Sequence, residues 1–295
     1  AVTEEMLAAA RQVLSHSSGV VCLDNAIARG YLLVNTGAYG PALSLFDVLL
    51  AAFPELIAAQ MAKGSACAMI GRLEDAAGCF TAALGLEPRL ADAWKRRGQV
   101  QAAKGDKFLQ TALDDLNQAK LLDAELPESR RDPDILHQRG SVLHRLKNFS
   151  AAIEEFDAFV NKYEPRSSVG WNYVGLCRAQ LGDVELALEA YALANQLKTL
   201  ETKGGGFKEA LINLGQLEKE AGRPGPALAG LTAAYECDRF APQALYHRGC
   251  LKHGCGDPWE ALEDFDAALA LTKAPPRTAA TAASGPGGGG GGGGQ

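Results

Sequence analysis

The most informative hydrophobic pattern in the chain runs from Ile57 to Gly98, where small and large apolar residues recur at helical spacing between polar ones. Gly64 is followed after 12 residues by Ala76, after 4 more by Phe80 and after 3 more by Ala83. Steps of four and three residues put the last three on one face of a helix, while the glycine falls in the helix before it. The pattern predicts two helices that pack closely at their small residues.

The same pattern recurs along most of the chain. One glycine per unit keeps the register, at intervals of 34, 34, 42, 35, 40 and 34 residues: Gly30, Gly64, Gly98, Gly140, Gly175, Gly215 and Gly249. A large apolar residue on the following helix matches each glycine: Phe46, Phe80, Leu116, Phe156, Tyr191, Leu231 and Phe265. A period of 34 residues is that of the tetratricopeptide helix–turn–helix unit, and the chain resembles the tetratricopeptide repeat (TPR) family. The resemblance implies an all-α, right-handed superhelical solenoid of about seven helix–turn–helix repeats.

Breaks in this pattern give the predicted domain organisation. Thr3 and the two acidic residues after it suit the start of a helix, so residues 1–18 are predicted to form an N-terminal capping helix. The seven repeats are predicted over residues 19–272, with insertions near 105–110, 123–133 and 199–206. Residues 273–295 are rich in glycine and can bury little apolar surface, which predicts a disordered tail. Glycines suited to a left-handed conformation mark turns between paired helices: Gly37, Gly71, Gly105, Gly182 and Gly222.

The composition argues against several classes of function. A net charge of −6 argues against direct nucleic-acid binding, which usually requires a basic surface. The chain has no run of 18 apolar residues, so we expect no membrane insertion. Residues 1–18 lack the basic and apolar regions of a signal peptide, and the missing initiator Met indicates a fragment or a processed chain. We therefore predict a cytoplasmic or nuclear protein.

Cysteines and tryptophans are interpreted as parts of the packed structure. The seven cysteines are odd in number and include no CxxC pair, which favours reduced thiols, several of them buried, over a disulfide framework. Trp94 and Trp171 both lie four residues before a repeat glycine and are expected to pack between helices. Trp259 follows Pro258 at the predicted start of a second helix, and it too is expected to be structural.

One cluster raises the question of a metal site. His247, Cys250, His253 and Cys255 lie within nine residues, and the first three fall within about 120° of one another on a helix. No second cluster completes the ligand spacing of a structural zinc site, so we predict no metal and no other cofactor. The chain also lacks GxGxxG, P-loop, GxSxG and HExxH motifs, and we predict that it is not an enzyme.

Charged residues recur at a fixed position in the repeats. A basic residue precedes the repeat glycine in five of the seven units: Arg29, Lys63, Arg97, Arg139 and Arg248. One interpretation is a basic stripe for an acidic partner. Three of these units also carry acidic residues just before the large residue of the second helix, so we favour ion pairs within the repeat. The predicted pairs are Arg97–Asp115, Arg139–Glu155 and Arg248–Asp264.

Two resemblances within the TPR family were compared. Cochaperones that grip a chaperone's C-terminal carboxylate carry an asparagine directly after the repeat glycine, and this chain has none at that position. The segments Ala93–Gln99 and Asp134–Gly140, together with Arg29-Gly30 and Ala42–Asp47, resemble the plant SRFR-type suppressors of effector-triggered immunity. The likeness covers about Asp24 to Asp157, and it implies an adaptor that restrains immune receptors and transcription factors in the cytoplasm and nucleus.

The sequence thus predicts a protein–protein interaction scaffold that holds peptide or helical segments in a concave groove lined by the first helices. The residues expected to contact a partner there are polar ones on the first helices: Lys95, Gln99, His137, His144, Asn172, Asn213, Gln216, His247 and His253. Two alternatives remain open. In the first alternative, the chain is the substrate-recognition arm of a larger enzyme. In the second, it is a structural module that self-associates into a homo-oligomer through its uncapped C-terminal end.

Overall fold

A computed structural model describes residues 19–202 and 206–273, and in these ranges it contains α-helices and no strand. The fourteen α-helices are α1 Gly19–Asn35, α2 Tyr39–Ala52, α3 Ile57–Met69, α4 Leu73–Leu86, α5 Ala91–Ala103, α6 Leu109–Ala124, α7 Asp134–Arg145, α8 Phe149–Ala158, α9 Ser168–Leu181, α10 Val184–Glu201, α11 Lys208–Glu220, α12 Pro224–Cys237, α13 Pro242–Cys255 and α14 Pro258–Lys273. They follow one another as seven helix–turn–helix pairs, which confirms the predicted all-α repeat fold.

The helices form two compact units, unit 1 with α1–α9 and unit 2 with α10–α14. The predicted capping helix at 1–18 and the predicted disordered tail beyond Lys273 lie outside the described residues. Of the expected insertions, the one near 123–133 is a loop with a single 3-10 turn at Glu128–Arg130. The one near 199–206 begins inside α10, and residues 203–205 are outside the described part.

Close approach between paired helices explains the repeat glycines. A Cβ atom on Gly64 would lie 2.8 Å from the Cε1 atom of Phe80, and on Gly215 it would lie 2.7 Å from the Cγ atom of Leu231. Neither neighbour has room to give way, because both large side chains are almost completely buried. The same contact is made by the pairs Gly30–Phe46, Gly98–Leu116, Gly140–Phe156 and Gly249–Phe265. The sequence prediction of small residues at these crossings is confirmed.

The turns between paired helices use a left-handed residue seven positions after the repeat glycine. All five predicted turn glycines have positive φ, and Gly256, which the sequence analysis did not single out, has φ +95°. In the fourth pair the same position is Lys147, with φ +61°. At the second turn, Gly71 N donates to Ala68 O at 3.1 Å and Arg72 N donates to Cys67 O at 2.9 Å, which satisfies the last carbonyls of α3.

The three predicted ion pairs are present. Arg97 donates from Nε and Nη2 to the Asp115 carboxylate at 2.9 and 2.7 Å. Arg248 binds Asp264 with the same two-point geometry and the same distances. Arg139 pairs with Glu155, whose carboxylate also accepts from Lys120 Nζ at 2.7 Å. All three carboxylates are buried, so these arginines neutralise charge inside the repeats and do not form a basic stripe.

Two tryptophans close the loop before their own helix, as packing residues should. Trp94 Nε1 donates to Pro88 O at 2.8 Å, and Trp171 Nε1 donates to Pro165 O at 3.0 Å. The expectation that Trp259 is structural is wrong, because its side chain is 81 % exposed at the start of α14. A proline and an acidic residue on either side of it start the helix without giving the indole a surface to cover.

Three of the cysteines have the buried thiols that the sequence predicts, and two others lie on the surface. Cys67, Cys79 and Cys177 are buried free thiols, and burial with the nearby Asp157 charge raises the pKa of Cys177 to about 12. Cys237 and Cys255 are free thiols on the surface. The buried thiols therefore behave as small apolar core residues.

Candidate protein-binding surface

Unit 1 has a cavity of about 320 Å³ between its first helices α3 and α5, called here the α3–α5 cavity. Its lining residues are Ser65, Ala68 and Met69 from α3, Leu73 and Phe80 from α4, and Arg96, Gln99, Val100 and Ala103 from α5. Small side chains on the two first helices leave the space open, and the α4 residues supply an apolar floor. Met69 is 59 % exposed at this site. An open, largely apolar cavity of this kind suits one large side chain of a ligand.

The polar groups of the cavity are Arg96 and Gln99 on α5 and Ser65 on α3. Arg96 Nε donates to Asp92 Oδ2 at 2.8 Å, and Arg96 Nη1 lies 3.3 Å from Ser65 Oγ. Gln99 Nε2 donates to Asp134 Oδ2 at 3.1 Å. A few placed polar groups beside apolar surface can orient a bound segment. Of these residues, only Gln99 was predicted from the sequence to contact a partner.

Lys95, which the sequence analysis placed in the binding groove, forms ion pairs with carboxylates of the protein itself. Its Nζ atom lies 2.5 Å from Asp132, 3.4 Å from Asp92 and 3.6 Å from Asp134, a group called here the Lys95 cluster. Burial alone would lower the pKa of Lys95, but the hydrogen bond to Asp132 and the three carboxylate charges outweigh it and raise that pKa. With 9 % of its surface exposed, Lys95 fixes the fold around it and is poorly placed to meet a ligand.

The insertion near 123–133 supplies the main partner of Lys95. Asp123 Oδ1 accepts a hydrogen bond from Asp132 N at 2.9 Å, and Asp132 Oδ1 accepts one from Asp134 N at 3.0 Å. These bonds hold the end of the inserted loop at the start of α7, where the carboxylates reach back to α5. No pattern within a single repeat predicts the contact between Lys95 and Asp132, because it joins residues 37 positions apart through an insertion.

His137 and His144 on α7 belong to an aromatic cluster. His137 lies at ring-centroid distances of 5.8 Å from Phe156 and 5.4 Å from Tyr173, and His144 lies 6.2 Å from Tyr173. Burial lowers the pKa of His137, against the opposing charge of Asp134, and burial also lowers the pKa of His144. Burial thus favours the neutral form of both imidazoles. Asn172 on α9, the last predicted contact in unit 1, is 7 % exposed.

The other four predicted contact residues lie in unit 2, with Asn213 and Gln216 on α11 and His247 and His253 on α13. Gln216 Nε2 lies 3.0 Å from His247 Nδ1, so α11 and α13 are bridged by two of them. Burial lowers the pKa of His247, and the charge of Lys219 lowers it further. Across residues 19–202 and 206–273, no three His, Cys, Asp or Glu side chains converge as a metal would require.

Unit 2 also carries a larger opening that the list of predicted contact residues does not include. A cavity of about 650 Å³, called here the terminal cavity, is lined by Pro242, Gln243, Tyr246, Phe265, Ala268, Leu269 and Thr272 of α13 and α14. Tyr246 is 54 % exposed and Leu269 is 50 % exposed. In the preceding helix pair, Ala234 of α12 holds the repeat position that Ala268 holds on α14. Ala241 and Ala244 cover Ala234. The sequence signal for this surface is the lack of a further repeat pattern after α14.

Comparison with known proteins supports the type of repeat that the sequence predicts. Residues 70–119 and 137–198 match a protein-family model described as tetratricopeptide repeat. The chain has the TPR fold. A fold of this type typically forms a non-catalytic interaction module.

Several solved structures resemble this chain over most of its length. YrrB, described as a TPR protein with an unusual peptide-binding site, is 20% identical with a TM-score of 0.53, over 68% of this chain and 95% of its own. A TPR protein from Parabacteroides merdae ATCC 43184 is 19% identical with a TM-score of 0.63, over 84% of this chain and 92% of its own. A chain of the APC/C hetero-tetramer Cut9–Hcn1 is 15% identical with a TM-score of 0.64, over 89% of this chain and 50% of its own.

At these identities the likeness shows the fold alone. Among curated proteins, none matches this chain in sequence. Within the described residues, every helix is too short or too polar to cross a bilayer.

Proposed function

We propose that this TPR protein is a scaffold that holds an extended or helical segment of another protein against the first helices of unit 1. The observation that carries the proposal is the α3–α5 cavity, which offers about 320 Å³ of mostly apolar space with Arg96 and Gln99 on one wall. Exposed apolar surface beside oriented polar groups is the usual composition of a protein-binding site. The peptide-binding site named for YrrB, a protein of the same fold, supports the same type of ligand.

The predicted contact residues take different roles in this proposal. Gln99 touches the ligand, whereas His144 packs against Tyr173 and does not line the cavity. Lys95 and Asn172 hold the first helices in place from below, because they are buried, and His137 does so through its contacts with aromatic rings. The set in unit 2, Asn213, Gln216, His247 and His253, remains a predicted second contact surface.

The resemblance to SRFR-type adaptors, which covers about Asp24 to Asp157, includes both α3 and α5. On that resemblance, the segments bound here would come from immune receptors or transcription factors, and the scaffold would act as a negative regulator. Co-purification of such proteins from plant extract, lost when the α3–α5 cavity is filled, would support this assignment. Unchanged recovery with the filled cavity would contradict it.

Filling the α3–α5 cavity tests the scaffold proposal directly. Ala103 is exposed and lines the cavity, so Ala103→Trp places a large ring in the opening without entering the core. We expect peptides selected from a random display library against the purified protein to bind Ala103→Trp at least about tenfold more weakly, because the ring competes with the ligand for the same space. Titration calorimetry or fluorescence anisotropy measures the change.

The matched control is Ala82→Trp, since Ala82 is an exposed residue of α4 that does not line the cavity. It should bind the selected peptides as the wild type does. Equal binding by Ala103→Trp and the wild type would remove the cavity from the proposal.

The terminal cavity favours a second candidate function, self-association. A 650 Å³ opening lined by Tyr246, Phe265 and Leu269 exposes apolar surface that a second copy of the chain can cover. Leu269→Glu would place a charge in the buried contact and should shift sedimenting oligomers to monomer. Leu262→Glu is the control, because Leu262 is 49 % exposed on the same helix and lies outside the cavity. A wild type that sediments as a monomer at all concentrations would exclude this function.

A further inference from the structure

The charges beside the α3–α5 cavity restrict the chemistry of its ligand. Five charged side chains lie along its polar wall and the adjoining Lys95 cluster: Asp92, Lys95, Arg96, Asp132 and Asp134. Three carboxylates and two cations leave one net negative charge in this group. The sign of this net charge is opposite to that expected from a lysine and an arginine side by side in the sequence.

One of the two cations, Lys95, is much less exposed than the carboxylates. The Lys95 side chain is 11% exposed, whereas those of Asp92, Asp132 and Asp134 are 42%, 39% and 44% exposed. Arg96 is 41% exposed, but its Nε atom is committed to Asp92 and its Nη1 atom to Ser65. A ligand that approaches from solvent therefore meets carboxylate oxygens before it meets the Lys95 ammonium.

The apolar and acidic parts of the surface border one another. Gln99 lines the cavity and donates to Asp134, and Arg96 lines the cavity and pairs with Asp92. A side chain that enters the cavity thus brings its chain neighbours to the carboxylates. An incoming carboxylate that paired with Lys95 would have to displace Asp132, at the cost of a hydrogen bond of 2.5 Å.

We propose that the segment bound at the α3–α5 cavity carries a large apolar side chain next to an arginine or lysine. The apolar side chain fills the cavity, and the cationic group meets the exposed carboxylates of Asp92 and Asp134. This assignment rests on the proposed scaffold function and specifies its ligand. Complementary charge at such exposed positions contributes modestly to affinity and more to the choice of partner.

The first test varies the charge of the peptide and leaves the protein unchanged. Peptides selected on the wild type are synthesised with capped ends, and the residue beside the apolar anchor is made Arg, Gln or Glu. We expect the Arg form to bind about two- to fivefold more tightly than the Gln form, as exposed charge pairs do, and the Glu form to bind most weakly. The advantage of Arg should shrink as salt is added. Tighter binding of the Glu form would overturn the proposal.

The second test removes one carboxylate. Asp134→Asn keeps the shape of the side chain and brings the net charge of the group to zero, so the preference for Arg over Gln should fall towards parity. Asp114→Asn is the matched control, because Asp114 is an exposed aspartate on α6 that does not line the cavity. Thermal unfolding of both variants confirms that they are folded. An undiminished preference for Arg in Asp134→Asn would contradict the role of this carboxylate.

The results separate the two proposals. If no selected peptide is sensitive to Ala103→Trp, the scaffold proposal fails at this site. If the peptides are sensitive to Ala103→Trp but carry acidic residues beside their apolar anchor, the site stands and the proposed charge of the ligand is wrong.

Discussion

At the scale of the residue, side-chain size and backbone conformation account for the positions that the repeat keeps constant. A helix interior usually disfavours glycine, since its backbone loses more entropy on folding than that of alanine. At Gly64 this cost is outweighed because Phe80 occupies the space that a Cβ would need. Glycine therefore stabilises the protein at one position of a repeat and destabilises it at another, and the structure allows a direct comparison of two such positions.

We expect Gly64→Ala to destabilise unit 1 by about 1–3 kcal/mol, because the new Cβ overpacks against the Phe80 ring. Gly78→Ala should have the opposite effect, a gain of roughly 0.5–1 kcal/mol, because Gly78 lies within α4 with open space around it. Urea unfolding of both variants measures the difference. Equal effects of the two substitutions would show that the contact with Phe80 has no energetic weight.

Lys147 is the one non-glycine residue with positive φ in the described part of the chain. Left-handed backbone is unfavourable for a residue with a Cβ, so Lys147→Gly should stabilise the protein by about 0.5–1 kcal/mol after the entropy of glycine is subtracted. Lys147→Ala keeps the unfavourable conformation and should give no gain. Thermal unfolding that ranks alanine with glycine would contradict this explanation.

At the scale of the element, α7 combines the end of the insertion with two half-buried histidines. Asp134 at its first turn completes the Lys95 cluster, while His137 and His144 pack on Tyr173 from α9. The helix is thus fixed by charge at its start and by aromatic contacts along its length. Both features depend on neutral imidazoles and ionised carboxylates, so the packing of α7 should respond to pH.

Because burial lowers the pKa of His137 and of His144, the unfolded chain binds more protons than the folded one as the pH falls. Their contribution to stability is complete above the unfolded histidine pKa of about 6.5 and is lost below it. The urea midpoint should therefore fall between pH of about 7.5 and about 5.5. The double variant His137→Phe, His144→Gln should show a shallower fall.

The control for this experiment is His253→Gln, which replaces an exposed histidine of α13. Its urea midpoint should fall with pH as the wild type does. The same slope in the double variant would mean that other groups cause the pH dependence.

At the scale of the whole molecule, unit 1 carries the α3–α5 cavity and unit 2 carries the terminal cavity, and repeat proteins gain stability mainly from contacts between neighbouring repeats. Substitutions at either cavity should therefore change binding while leaving most of the fold intact. The chain carries a net charge of −6, which favours the approach of basic segments at long range and agrees in sign with the carboxylates beside the α3–α5 cavity.

The sequence by itself determined what repeats: the paired helices, the glycines at their crossings, the turn glycines and the ion pairs Arg97–Asp115 and Arg248–Asp264. These follow from contacts within one helix pair, whose spacing is fixed by helix geometry. The tertiary structure decided what differs between repeats. It buried Lys95 under Asp132, packed His137 among aromatic rings, exposed Trp259 and opened the α3–α5 cavity. Those outcomes depend on an inserted loop and on neighbouring helix pairs, and no periodic pattern in the sequence encodes contacts of that kind.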